Sequence, residues 1–110
     1  MSYNVYPTPD FKKSFKKLAK KYPSLKVDLQ QLIDTLIENP NIGTNLGHNL
    51  YKIRMAISSK SKGKSAGARV ITFIVSDDQE VYLVQIYDKS HLENLSKNQI
   101  SELLKKAGLL

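Results

Sequence analysis

The sequence contains no cysteine and no tryptophan. Without cysteine there is no disulfide framework, no thiolate metal site and no thiol nucleophile. No run approaches the roughly 18 consecutive apolar residues that a membrane-spanning helix requires. The opening stretch, MSYNVYPTPD, has no cationic start followed by an apolar run, so it does not read as a signal peptide. These absences predict a cytoplasmic protein with no membrane partner. The two histidines, His48 and His91, stand apart from one another and from any ligand-spaced motif, so neither a metal site nor a cofactor is expected. The most informative absence is of acids. None occurs from Phe11 to Val27, and none from Asn39 to Ser76.

What is present is positive charge. The chain of 110 residues carries 17 Lys and Arg against 10 Asp and Glu, a formal net charge of +7. Its length fits one domain, and its 41% hydrophobic content supports one modest core. An excess of this size favours a polyanionic partner, most often nucleic acid, through counterion release. The plainer alternative is a basic, soluble surface. The segment YKIRMAISSKSKGKSAGARVI, from Tyr51 to Ile71, concentrates six cations (Lys52, Arg54, Lys60, Lys62, Lys64 and Arg69) with no acid among them.

Periodicity predicts the elements. Tyr3 to Tyr6 read as a short strand. Thr8, Pro9 and Asp10 suit the start of a helix, and Phe11, Phe15, Leu18, Ala19 and Tyr22 recur at helical spacing, giving a helix over about 9–21 that Pro23 ends. Ser24 is the candidate cap of a second helix, whose apolar face is Leu25, Leu29, Leu32, Ile33 and Leu36 and which Asn39-Pro40 stops. NPNIGTNLGHN reads as loop. Three strands follow, over about 50–57, 68–76 and 80–87, the last two joined by a tight SDDQ turn. Ser96 and Gln99 form a capping-box pattern ahead of Ile100, Leu103, Leu104 and Ala107, and Gly108 suits the helix end. The order strand, helix, helix, three antiparallel strands, helix predicts an α+β domain over 1–110, with the helices packed on one face of the sheet.

Alternation along the first of the three strands places Lys52 and Arg54 on one face, roughly 7 Å apart, with Ile53 and Met55 on the other. Two unpaired cations do not belong in a core, so their face is expected to be open. Arg69 starts the next strand and is expected to join them by cross-strand pairing. Such a cluster repels itself, and a phosphate group relieves that repulsion. Lys12, Lys13, Lys16, Lys17, Lys20 and Lys21 form a second basic feature, a helix face without a glutamate partner. It reads either as a rail for RNA phosphates or as a solubilising surface. Lys60, Lys62 and Lys64, on a Ser/Lys/Gly connection, read as affinity contacts to RNA.

Taken in order, FKKSFKKLAKKYPSL, LIDTLIENP, NLYKIRMAI, the basic connection, ARVITFIV, the acidic turn and VYLVQIYDKS resemble the RelE/ParE superfamily of bacterial toxins, and the YDKSHLENLS ending is most similar to its HigB-like branch. The resemblance covers most of the chain. It implies a RelE-like fold and a translation-dependent endoribonuclease that cuts mRNA in the ribosomal A site, meets ribosomal RNA there, and is restrained by a cognate antitoxin. By the same match Lys52 and Arg54 in YKIR, Arg69 in ARV and Lys89 in YDKS occupy the family's basic active-site positions. Some members carry a Tyr a few residues beyond the last of these. This chain has Leu92, Glu93 and Leu95 there, which leaves Tyr87 and His91 as candidate substitutes.

Metal-independent cleavage uses the RNA 2′-hydroxyl as nucleophile. Arg54 and Arg69 suit stabilisation of the phosphorane charge. Arginine stays protonated, whereas lysine crowded by cations can give up its proton, so Lys52 is the candidate base, with Lys89, Tyr87 or His91 as candidate acids. Two other readings share these residues: a ParE-like toxin acting on DNA gyrase, and a passive RNA-binding module.

Overall fold

The computed structural model describes residues 2–60, 66–90 and 95–110. Five strands and three helices follow one another as β1 (Asn4–Pro7), α1 (Pro9–Lys21), α2 (Leu25–Glu38), β2 (Thr44–Gly47), β3 (Leu50–Met55), β4 (Ala68–Val75), β5 (Glu80–Asp88) and α3 (Lys97–Lys106). They form one mixed sheet in the order β1-β5-β4-β3-β2. Among the described residues, β1 runs parallel to its neighbour, β5, and the other pairs are antiparallel. Among the described residues, no helix is long and apolar enough to cross a membrane.

Thr8 shows how the chain leaves β1 and enters α1. Its hydroxyl accepts from the Phe11 amide at 3.2 Å, capping the helix, and donates to the Leu83 and Val84 carbonyls of β5 at 3.1 and 3.3 Å. The cap therefore also fixes α1 against the sheet. Phe11, Leu25, Leu29, Leu32 and Leu36 from the two helices meet Ile53, Met55, Val70, Leu83 and Ile86 from the strands in one core.

α3 lies on the other face. Ile100 and Leu104 pack with Leu50, Ile71, Val84 and Tyr87, and these strand residues point away from Ile53 and Val70. The expectation that all helices share one sheet face is thus corrected: α1 and α2 cover one side and α3 covers part of the other. β4 carries the reason. ARVITFIV is apolar on both faces, and a strand of that composition needs cover on both. A register shift between β4 and β5, where Ile71 meets Gln85 and Thr72 meets Leu83, lets Val84 join the α3 side.

α3 ends as its sequence predicts. Ser96 and Gln99 complete a capping box. At the other end Gly108, at φ +75°, donates to Lys105 O, and the Leu109 amide reaches back to Leu104 O at 2.8 Å, a Schellman motif. Three local readings are corrected. GTNLG is not loop: it pairs with β3 as an edge strand, and Gly47, His48 and Asn49, all at positive φ, make the turn. Weak strand propensity gives way there to cross-strand pairing. The strand read over 50–57 ends at Met55. Ser24 sits at the start of α2 without capping it, because its hydroxyl serves other partners: it donates to Asp28 at 2.8 Å and accepts from the Ser59 amide at 2.8 Å.

Candidate active site

Three of the residues singled out as catalytic form a row across the sheet. Arg54 on β3 pairs directly with Arg69 on β4, and Arg69 pairs with Tyr87 on β5. Lys52 stands two residues before Arg54, in register with Ile71 and Gln85. Alternation puts all four side chains on the α3 side, opposite Ile53, Met55 and Val70. Arg54 is exposed and Lys52 half-buried.

Arg69 departs from expectation. It is only 4% exposed, so the open-face reading fails for this residue. Its guanidinium donates to the Ala68 carbonyl at 3.2 Å and lies close enough to Tyr87 for its charge to be felt by the phenol. Arginine tolerates such a place better than lysine, because it is more weakly hydrated and spreads its charge over a planar fork.

Tyr87 is 8% exposed, beneath Leu95 and α3. Its hydroxyl oxygen is fully buried and completes no hydrogen bond among the described residues. Burial pushes the phenol above its ordinary pKa, and the Arg69 charge and the nearby Leu95 amide oppose that without reversing it. At neutral pH the phenol therefore keeps its proton. It can donate one but cannot serve as a base.

Lys89 follows β5. Its amide donates to Gly67 O at 3.1 Å, which extends the β4–β5 ladder by one step, and its side chain is half-buried. His91, Lys62 and Lys64 lie outside the described residues.

Lys60 is not a surface contact. Its ammonium donates to Asp88 Oδ1 at 2.7 Å and to the Ala66 carbonyl at 2.9 Å, and it sits 5.0 Å from the centre of the Tyr22 ring. The two side chains of the ion pair are 13% and 2% exposed. Reading Lys60 as an RNA contact is corrected on that ground: the charge is already satisfied inside the protein. Asp88 also accepts from the Tyr22 hydroxyl at 2.7 Å and from Ser90 through both its amide, at 3.0 Å, and its hydroxyl, at 2.8 Å. Burial alone would raise this carboxyl, but the bonds from Lys60, Tyr22 and Ser90 outweigh it and hold the group well below the usual carboxylate range. Sequence reasoning passed over Asp88. Its signal was position, a lone acid between two candidate site residues in YDKS.

The lysines of α1, Lys12, Lys13, Lys16, Lys17, Lys20 and Lys21, are all exposed. They project from the outer side of a helix whose inner side packs on the core opposite α3. The structure thus separates the two basic features of the sequence onto opposite sides of the sheet.

Comparison with known proteins bears on the family and the fold. The family described as RelE toxin of the RelE/RelB toxin–antitoxin system matches residues 10–110. Among solved structures, a double-arginine mutant of E. coli toxin RelE in the free state superposes with a TM-score of 0.66 at 18% identity, covering 96% of this chain and 98% of that one. The isolated E. coli RelE toxin gives 0.62 at 18% identity over the same shares. At that identity the two structures establish a common fold.

Proposed function

The chain belongs to the RelE toxin family of toxin–antitoxin systems, and from that premise we propose that it is a ribosome-dependent endoribonuclease that cuts mRNA in the cytoplasm and is held in check by a cognate antitoxin. The Ser/Lys/Gly connection and the YDKSHLENLS ending favour the HigB-like branch. The observation that carries the activity is the cross-strand row Arg54–Arg69–Tyr87 with Lys52 beside it.

Each member has a chemical task. Cleavage by the RNA 2′-hydroxyl requires a base for that hydroxyl, stabilisation of the extra charge on the phosphorane, and a proton for the departing 5′-oxygen. Lys52 is the base. Arg54, exposed, grips the phosphate, and Arg69 adds fixed positive charge from beneath, in a water-poor setting where charge stabilisation is strongest. Tyr87 holds its proton and is one candidate acid, although its fully buried hydroxyl must be uncovered before it reaches the departing oxygen; half-buried Lys89, at the end of the same ladder, is the other.

Induced expression with and without the neighbouring gene, followed by mapping of mRNA 5′ ends, tests the proposal. Codon-linked cuts that vanish when the neighbour is co-expressed are expected. Growth arrest with intact mRNA and inhibited gyrase, or RNA binding without cleavage, refutes it. Within the site, Lys52→Arg keeps the charge and is expected to keep RNA affinity while losing cleavage.

A further inference from the structure

We propose that the buried Lys60–Asp88 pair is a positioning device for the site, setting Tyr87 and Lys89 against Arg69 and Arg54 from the opposite side of the sheet. The proposal rests on the reading of that row as the active site.

Asp88 is the last residue of β5 and pairs with Ala68, the first residue of β4. Alternation turns its carboxylate toward α1, where it meets Tyr22, while Tyr87 beside it faces the cationic row. The one carboxylate joins three separate segments. Tyr22 is the residue that ends α1, Lys60 ends the short turn Ser58–Lys60 within the connection between β3 and β4, and Ser90 belongs to the turn after β5. Lys60 in turn holds the far end of its own connection through Ala66 O, next to the Gly67 carbonyl that receives the Lys89 amide. The stem of the connection is pinned from the α2 side as well, by Asp28, which accepts from the Ser58 amide at 2.9 Å and the Ser58 hydroxyl at 2.5 Å. Every backbone segment that carries a row residue at this end of the sheet is therefore tied to Asp88 directly or through one intermediate.

Stability alone does not explain an ion pair here. Well-packed apolar residues of similar volume usually hold a buried site as well as a salt bridge, or better, because the desolvation penalty disappears. What they do not reproduce is a direction-dependent network of charge-assisted hydrogen bonds that fixes where each segment sits. Misplacement of a reacting group by about 1 Å costs on the order of a hundredfold in rate.

The decisive variant is the apolar pair Lys60→Met with Asp88→Leu, read by thermal unfolding, by single-turnover cleavage on programmed ribosomes, and by ¹H–¹⁵N spectra of the free protein. The expected result is a folded protein whose maximal cleavage rate falls roughly tenfold to a hundredfold while the half-saturating ribosome concentration is unchanged, with displaced resonances for Arg69 Nε and the Lys89 amide. Lys60→Arg, which keeps charge and donors, is expected to recover most of the rate. A folded pair variant that cleaves at the wild-type rate, or that loses only ribosome affinity, overturns the proposal. If the pair variant does not fold, Lys60→Met alone takes its place with the same outcomes. If the wild type cuts no mRNA, the nuclease reading fails by itself. The positioning claim is then decided by the spectra, and unmoved Arg69 and Lys89 resonances in Lys60→Met overturn it.

Discussion

Tyr87→Phe separates stability from chemistry more sharply than any other single change. The tyrosine hydroxyl is fully buried and completes no hydrogen bond among the described residues. A buried polar group left in that condition costs about 1–3 kcal/mol. The Arg69 charge and the Leu95 amide offset part of this, so the lower end applies. Removing the oxygen while keeping the ring is therefore expected to stabilise the fold by about 1 kcal/mol, which raises the melting temperature of a domain this size by roughly 4 °C. If the same hydroxyl delivers the proton to the departing 5′-oxygen, its loss is expected to lower the single-turnover cleavage rate by about 10²–10⁴-fold. A gain in stability with a loss of rate is the mark of a group kept for function.

Thr72 supplies the control. Its hydroxyl is also buried and unbonded among the described residues, but Thr72 pairs with Tyr51 and Leu83 and faces the α1–α2 core. Thr72→Val is expected to stabilise by a similar amount and leave cleavage untouched. Differential scanning calorimetry and cleavage of a short mRNA on stalled ribosomes measure both quantities for both variants. Tyr87→Phe with full activity removes Tyr87 as the acid and moves the role to Lys89. A destabilised Tyr87→Phe shows instead that the hydroxyl is bonded in solution, and the reasoning from burial fails.

The remaining expectations concern charge and close packing. Asp88 is held below its ordinary pKa of 3.8. Its contribution to stability is thus fully present above that value and is lost as pH falls through the lower folded-state value; urea midpoints measured from pH 6 downward should decline, and the decline should flatten in Asp88→Asn. Replacing Lys12, Lys16 and Lys20 with Gln should reduce the salt dependence of ribosome binding by roughly 0.7 log units for each single-strand phosphate that the helix no longer neutralises, with the saturated cleavage rate unchanged. An unaltered slope reassigns the α1 face to solubility. A Cβ at Gly67 would overlap the Met55 carbonyl and lie 3.0 Å from Ala56 Cα, both backbone atoms, so Gly67→Ala should destabilise by about 3 kcal/mol in chemical denaturation; a loss under ~1 kcal/mol shows that the stem can shift.

The sequence specified the elements and the row more fully than it specified which charges are free. Lys52, Arg54 and Arg69 share a face because strand alternation and a hairpin-like pairing leave no other arrangement, and both are legible in YKIRM and ARVIT. Three features were not legible. The two-sided apolar pattern of β4 calls for cover on both faces, but nothing local to it says which helix provides it. The strand at Thr44–Gly47 has little propensity of its own and exists because β3 offers an edge. Lys60 looks like its neighbours Lys62 and Lys64, and its burial depends on Tyr22 and Asp88, which lie 38 and 28 positions away along the chain. A long-range ion pair leaves no periodic signature in the sequence.

The division of positive charge between two faces constrains how this chain can meet RNA. Under the proposed function, a single strand held at Arg54 would run along the α3 side, and the α1 lysines lie across the thickness of the sheet and a helix layer from it. Because the sheet and its helix layer stand between the two features, no single phosphate can contact both. Under the proposed function they meet separate phosphates. A partner that engages both must present polyanion on two sides, which a folded RNA cleft does and a free strand does not. The reading of this chain as a ribosome-dependent enzyme and the geometry of its charges therefore make the same demand, and free mRNA should bind through one face only, with a correspondingly smaller salt slope than the ribosome shows.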